Sequence, residues 1–466
     1  MPHNIVVIFT DDHAAWANGC CGNQEIRTPT IDYLARTGVL MENAFTPTPV
    51  CSPARASFFT GQLASQHGIH DYLNTWDPEI NRKDWLGGRP TLAHILHKAG
   101  YTTALCGKWH LGRSFERQPG FDYWYEAGDT RVENETLLGP WPLAVPSLAS
   151  YDRHAITDRA VQFLRSRTRE VPFFLFIGYI ATHSPWTDHP ERIVSGYRGC
   201  RFDDIPRDST YFFGRLAAES LMPTRHNPHE ALAQYYASVT EIDEQVGRIV
   251  DEIDAQAIRQ DTLIVYTSDH GLNMGHHGVW GKGNATKPYN MLEESIRVPL
   301  ILNHPEKLVP SQRRSEMVNH CDLFETLLDY CFIDQPEALR GATARPGRSY
   351  LPLLTGGACP EWRSTIFGEY GTVRMARTER YKLLIRYPEE ECELFDLKDD
   401  PREVTSVASR PRYLPVLTSM KTELEVYFKT HQDPIHSGIR AAELPSFNEE
   451  EVWRFPDHDS LWWEQS

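Results

Sequence analysis

Nothing in this chain of 466 residues is apolar for long enough to cross a bilayer, and no two cysteines stand at the C-x-x-C spacing of a metal ribbon or a redox centre. Nine cysteines are scattered along it. Cys20 and Cys21 are adjacent, and a bridge between neighbours would be strained. Reduced, mostly buried thiols are therefore expected instead of a disulfide framework. Positive charge is also scarce. Lys and Arg number 47 against 63 Asp and Glu, a formal net charge of −16, which argues against nucleic acid and against a strongly basic groove for polyanions. Internal repeats and low-complexity tracts are missing as well. The opening M-P-H-N-I-V-V-I-F-T has no basic n-region, and its apolar run is much shorter than a secretory h-region, so it reads as a buried first strand. A soluble, cytoplasmic protein without membrane attachment is expected, although a trimmed leader would leave the same sequence.

What is present is length and alternation. The chain can bury a substantial core and suits one large domain with a smaller appendage. Apolar runs over 4–10, 39–45, 101–106, 173–179 and 261–267 read as strands. Helical spacing over 28–36, 91–100, 152–167 and 228–253 separates most of them. The fold class is α/β, with a large, mostly parallel central sheet flanked by helices. Composition turns to Pro, Gly, Ala and Arg over 336–349, which places a join there. Beyond it the runs I-F-G-E-Y, V-R-M-A-R and Y-K-L-L-I and a helix over 414–428 suggest a C-terminal subdomain of antiparallel sheet plus helix. The expected division is 1–345 and 346–466.

Ligands of such sheets bind outside the carboxyl ends of the strands, and polar residues cluster there. Asp11 and Asp12 follow the first strand; adjacent carboxylates repel, so the pair faces solvent or a cation. G-K-W-H-L-G brings Lys108 and His110 off another strand, A-T-H-S-P-W brings His183, and S-D-H-G brings Asp269 and His270. The run C-S-P-A-R-A-S-F-F-T-G over 51–61 has no second cysteine and reads as a nucleophile site. Pro53 suits a first helical turn, residues 54–59 continue as helix, and Cys51 at the helix N-terminus stands where an anion is favoured. Arg55, one turn on, reaches the same anion. A small buried cysteine at a helix start is the competing account.

Other residues carry weaker signals. His67, His70 and Asp71 lie in a turn-like segment that surface polarity explains, and Trp76 and Trp85 read as packing. The irregular stretch 113–150, with Phe121, Trp124, Tyr125 and Trp141, is long enough to form an aromatic pocket wall that sets substrate choice. A second irregular stretch, 184–227, carries no assignment. Trp453, Trp462 and Trp463 give the tail apolar surface for docking on a neighbour.

C-x-P-x-R followed by T-G resembles the signature of the type I sulfatases, within the alkaline phosphatase superfamily. G-K-W-H-L-G, H-x-P-W at His183, H-H-G-V-W-G-K-G with E-E-S-I-R-V-P-L-I, and E-L-F-D-L-K-D-D-P-R-E resemble further stretches of that family in the same order. The resemblance implies that Cys51 is oxidised to formylglycine by a formylglycine-generating or sulfatase-maturating enzyme. Hydration would give a geminal diol, one hydroxyl attacking sulfur and the other later expelling sulfate, a second half that a thiol could not perform. It implies one calcium ion beside residue 51, held by Asp11, Asp12, Asp269 and His270, of which the nitrogen ligand suits a hard cation least. Arg55, Lys108 and Lys282 would neutralise the sulfate oxygens, with Lys282 preferred to Lys287 for its G-K-G context. His110 would hydrogen-bond the diol and take its proton, and His183 would serve the leaving alcohol. His13 stands where the family often has glutamine and is left as a site-lining residue without a role. The implied activity is sulfuric ester hydrolysis, on a mono- or oligosaccharide sulfate in preference to an aryl or alkyl sulfate, and on a small ester in preference to a highly sulfated polymer. A phosphonate monoester or phosphodiester hydrolase is the runner-up. Unconverted Cys51 would leave a noncatalytic sulfate-ester binder. Oligomeric state stays open, a homo-oligomer included.

Overall fold

The computed structural model describes residues 3–74, 77–127, 153–206, 214–215, 227–333 and 344–440. Trp76, Trp141, Trp453, Trp462 and Trp463 lie outside them, as do residues 128–150 of the first irregular stretch, 207–213 and 216–226 of the second, and the side chain of Lys287.

In chain order the central sheet takes Asn4–Thr10 (β1), Val39–Phe45 (β2), Thr102–Gly107 (β3), Tyr123–Tyr125 (β4), Phe173–Gly178 (β5), Thr262–Ser268 (β6), Leu300–Asn303 (β7) and Gln312–Asn319 (β8). Its order across the sheet is β8-β2-β7-β6-β1-β5-β3-β4. Within it, β7 runs antiparallel to both neighbours and every other pairing is parallel. The middle strands are buried on both faces, as their continuous apolar sequences require. Side chains alternate across the pleat. Ile5, Val7 and Phe9 of β1 face one core, which holds Phe58, Phe59, Leu92, Leu323 and Phe324; Val6 and Ile8 face the other, which holds Ile31, Phe163, Ile242 and Ile249. Those residues come from helices Pro29–Thr37 (α1), Cys51–Thr60 (α2), Leu92–Lys98 (α3), Arg153–Ser166 (α4), Pro228–Ala255 (α5) and His320–Tyr330 (α6). Helices α2, α3 and α6 cover the first face and α1, α4 and α5 the second.

Register is what makes a site. Thr10 is level with Ser268, Phe9 with Gly178, and Gly178 with Gly107. Four neighbouring strands therefore end at one height, and the residues that follow them leave the sheet side by side. Gly107 allows the last of these approaches: its φ is +108°, and a side chain there would collide with the Gly178 carbonyl, whose oxygen accepts from Lys108 N at 2.8 Å. Gly107→Ala is expected to cost about 3 kcal/mol, from a left-handed backbone and an overpacked strand junction. Urea denaturation measures this, and an unchanged midpoint would show that the junction tolerates a methyl group.

The C-terminal unit is an antiparallel meander of Thr365–Tyr370 (β9), Val373–Thr378 (β10), Tyr381–Arg386 (β11) and Glu391–Asp396 (β12), with helix Leu414–His431 (α7). One of its faces packs on Met420, Leu424 and Phe428 of α7, while the other joins a cluster with Phe45, Val50 and Met291. The meander is thus packed against the approach to Cys51. Tyr350, Leu353 and Leu354, ahead of β9, pack into the core of the central sheet. Strands β7 and β8 and helix α6 are absent from the sequence reading. A strand of four residues is too short to show a period, and β8 alternates exposure over its first half like a surface segment.

Candidate active site

Helix α2 begins at Cys51 itself, with Val50 extended before it, so Cys51 stands at the helix N-terminus and Pro53 in the first turn, where the sequence reading places them. Pro53 is accommodated because N–H groups of a first turn have no partner within the helix. All ten residues of α2 are buried, which is why it shows no polar face.

Around the thiol the structure gathers charges from four strand ends. Cys51 Sγ lies 3.4 Å from Asp11 Oδ1 and 3.4 Å from His270 Nε2, and it accepts from Lys282 Nζ at 3.1 Å. Lys282 Nζ also donates to Asp12 Oδ1 at 2.6 Å, and Lys108 is paired with Asp11. Arg55 is fully buried. Its Nε donates to Asp269 Oδ2 at 3.1 Å, a terminal nitrogen reaches Asp11 Oδ2 at 3.3 Å, and another reaches the Lys108 carbonyl at 3.0 Å. His183 Nε2 stands 3.9 Å from Asp12 Oδ2, and Nδ1 is committed to the Ser184 carbonyl at 2.6 Å. Asp11, Asp12, Cys51, Arg55, Lys108, His183, Asp269, His270 and Lys282 thus form one constellation. Asp12 and His110 both carry left-handed backbone, φ +56° and +61°, a conformation uncommon outside glycine.

Burial alone would raise the Asp11 carboxyl, but Lys108, Lys282, His183 and Arg55 together hold it well below the usual carboxylate range. Burial pushes His270 down, yet Asp269 and Cys51 beside it bring it up to about 9. Against desolvation, Asp11 raises Lys108 and Asp12 raises Lys282, so both stay charged. His110 goes the other way. Burial first, then Lys108 and Arg55, hold it well below an ordinary histidine. Its Nε2 is 2.8 Å from the Leu73 carbonyl, which can only accept, so Nε2 carries the proton and Nδ1 keeps its lone pair. That Nδ1 is buried and has no hydrogen-bond partner among the described residues.

A buried cysteine at a helix start, beside two lysines, an arginine and three carboxylates, suits the binding of a tetrahedral anion. The sulfatase family profile matches residues 3–331. The chain belongs to the sulfatase family. A profile for the C-terminal part of N-sulphoglucosamine sulphohydrolase matches residues 275–430 of this sulfatase. It is similar to an N-acetylglucosamine-6-O-sulfatase of Bacteroides thetaiotaomicron, at 25% identity over 92% of this chain and 87% of that protein. It is also similar to YidJ of Escherichia coli, an uncharacterized sulfatase, at 28% identity over 93% of this chain and 88% of the other. Among solved structures, one in complex with its substrate D-glucosamine-2-N,6-O-disulfate matches with a TM-score of 0.76 at 23% identity, covering 92% of this chain and 98% of that one. The phosphonate monoester hydrolase of Agrobacterium radiobacter matches with a TM-score of 0.73 at 20% identity, over 92% and 96%. As a type I sulfatase of the alkaline phosphatase superfamily, the protein is a sulfuric ester hydrolase.

The donor set of this sulfatase fits a divalent cation. Ligating atoms of Asp11, Asp12, Cys51 and His270 lie within 4.8 Å of one another, all buried. Asp269 Oδ1 joins them, 3.4 Å from His270 Nε2. His270 Nδ1 is held by the Gly271 carbonyl at 2.9 Å, which aims Nε2 at the carboxylates. Three buried carboxylates make the set rich in oxygen, as a hard cation requires.

Three sequence expectations change here. His67 and Asp71 are not surface residues; they are 2% and 6% exposed, and His67 is spent on Ser57 Oγ and the Ile69 amide. Their segment is polar because it is hydrogen-bonded internally. His13 does not line the site with a free nitrogen, since Nε2 bonds the Ala17 carbonyl and Nδ1 bonds the Tyr266 hydroxyl. The Leu73 carbonyl that fixes His110 has no counterpart in the sequence reading, because a backbone acceptor leaves no mark in sequence.

Proposed function

We propose that this sulfatase removes sulfate from a small carbohydrate sulfate ester, using formylglycine at position 51 and one calcium ion. The observation that carries the reading is Cys51 at the start of α2, with Asp11 and His270 each 3.4 Å and Lys282 3.1 Å from its sulfur. A residue so placed touches the cation-binding carboxylates and an anion-neutralising lysine at once. The carbohydrate class is supported by the N-acetylglucosamine-6-O-sulfatase relative and by the disulfated glucosamine bound to the protein of similar fold. The formal charge of −16 favours a small ester over a polyanion.

Asp11, Asp12, Asp269 and His270 would hold the calcium ion, which when bound supplies Lewis-acid polarisation of a sulfate oxygen. One hydroxyl of the hydrated residue 51 attacks sulfur, the bond from sulfur to the alcohol oxygen breaks, and the proton of the attacking hydroxyl passes to that oxygen by way of His183, whose Nε2 lone pair is free to carry it because Nδ1–H is held by the Ser184 carbonyl. Lys108 and Lys282 neutralise the nonbridging oxygens. Arg55 acts differently from the sequence expectation in this proposal: its guanidinium is spent on Asp11, Asp269 and the Lys108 carbonyl, so it holds the groups that touch sulfate. The second hydroxyl then gives its proton to His110 Nδ1, the carbon–oxygen bond to sulfate breaks, and the aldehyde returns.

Cys51 is 0% exposed, so a maturation enzyme must reach it before α2 is packed. Peptide mass spectrometry across Cys51, on protein from its own host, is expected to show aldehyde in place of thiol. Unmodified cysteine throughout would leave a sulfate-ester binder. A calcium chelator is expected to remove activity and lower the melting temperature, with calcium restoring both, because a cation bound only by the native state stabilises it. A melting temperature indifferent to calcium would sink the metal assignment. The fold shared with phosphonate monoester hydrolases makes a second test useful, with rates on paired aryl sulfate and aryl phosphonate expected to favour sulfate.

A further inference from the structure

Residues 71–73 connect His110 to the C-terminal meander. Leu73 receives the His110 Nε2 proton on its carbonyl at 2.8 Å and donates its own amide to Ser52 Oγ, beside the nucleophile, at 3.2 Å. The Tyr72 ring meets the His110 ring edge-on, with centroids 4.9 Å apart and planes at 74°. Asp71 fixes the start of this tripeptide. Its Oδ1 accepts from the Tyr72 amide at 2.8 Å and from the hydroxyl of Tyr370, on β9, at 2.5 Å. Its Oδ2 accepts from the Tyr289 hydroxyl at 3.4 Å, and Tyr289 stacks on Tyr370 with centroids 4.3 Å apart and planes at 11°. The carboxylate is 6% exposed and Tyr370 is fully buried, so these bonds are sheltered from competing water.

We propose that Asp71, clamped by Tyr370 and Tyr289, is a positioning residue for the second half of the reaction: it holds the Leu73 carbonyl where that carbonyl keeps the His110 proton on Nε2 and so leaves the Nδ1 lone pair to take a proton. This rests on the role of His110 in sulfate release proposed above. It gives the C-terminal unit a part in catalysis, since β9 supplies the Tyr370 hydroxyl. A loosened tripeptide lets the imidazole rotate or change tautomer, which impairs proton removal from the second hydroxyl. Attack on sulfur does not use His110 and is left alone.

The two halves separate experimentally. With nitrophenyl sulfate, or a sulfated monosaccharide that the parent turns over, rapid quench reads alcohol release while intact mass reads protein carrying one sulfuryl group. Asp71→Ala is expected to slow sulfate release about tenfold, with the first turnover of alcohol within about twofold of the parent, so sulfated protein accumulates. Tyr370→Phe keeps the ring stack, loses one hydroxyl and is expected to do the same, which carries the test if Asp71→Ala does not fold. Asp71→Asn retains an acceptor for Tyr370 and is expected to recover to within about threefold. Equal losses in both halves, or unaltered sulfate release in Asp71→Ala and Tyr370→Phe, would overturn the clamp. His110→Ala, run in parallel, tells the two readings apart. If it accumulates sulfated protein and the clamp variants do not, the clamp alone fails; if it does not accumulate, the role of His110 fails first.

Discussion

Cys51→Ala is expected to lower turnover by at least about 10⁴-fold while the protein stays folded. Cys51 is 0% exposed in the first turn of α2, and alanine removes one sulfur atom from a well-packed place, a loss of about 1 kcal/mol that the surrounding core can carry. The chemical loss is of another order, because in the proposed mechanism only residue 51 presents two hydroxyls on one carbon. Cys51→Ser sharpens the prediction. A serine hydroxyl can attack sulfur, but it has no second hydroxyl with which to expel sulfate, so one equivalent of alcohol per protein is expected and then nothing. Steady turnover by either variant would sink the formylglycine mechanism. Active-site titration by rapid quench, with circular dichroism to confirm folding, reads both outcomes.

Arg55 is where structure and activity fail together. Its guanidinium lies 3.3 Å from Asp11 and 3.0 Å from Asp269, with all three side chains at 0% exposure. Arg55→Ala leaves buried carboxylates without their partner and is expected to cost about 3–5 kcal/mol in urea denaturation. Arg55→Lys is not conservative here. A single ammonium cannot span Asp11, Asp269 and the Lys108 carbonyl as the planar fork does, so turnover is expected to fall about 100-fold, with a smaller loss of stability. The kcat term should carry the loss in Arg55→Lys, since Lys108 and Lys282, the lysines proposed to neutralise sulfate, remain. A rise confined to KM would instead return Arg55 to direct contact with substrate. A lysine variant of full activity and stability would show that the fork geometry does not matter.

Much of the fold is legible because buried parallel strands are long apolar runs. Residues 4–10 and 173–179 could be read that way, and the observed strands Asn4–Thr10 and Phe173–Gly178 lie where the sequence puts them. Helix Pro228–Ala255 was equally clear from its spacing. Leu300–Asn303 was not, since four residues carry no period, and its antiparallel place in a parallel sheet is decided by its neighbours. Motifs made Cys51, Lys108, His183 and Asp269 visible as individual residues. They said nothing about which side chains bond to which, and so Arg55 was expected to face sulfate while its bonds run to carboxylates.

Residue types and their local contexts fix the chemistry available: a cysteine followed by Pro53 and Arg55, paired carboxylates at strand ends, two lysines in glycine contexts, and a formal net charge of −16. These are local facts, and propensity and residue type suffice to state them. Tertiary structure alone decided the geometry. Strands 4–10, 102–107, 173–178 and 262–268 end level because hydrogen-bonded register aligns them, and only that brings residues more than two hundred positions apart within 3.4 Å of one sulfur. The tautomer of His110 depends on the carbonyl of Leu73, and the place of Leu73 depends on Asp71 and on Tyr370, nearly three hundred residues further on. Backbone acceptors and long-range partners leave no periodic trace in a sequence, because the free energy that selects them arises only when the packed whole excludes water from the polar groups they satisfy.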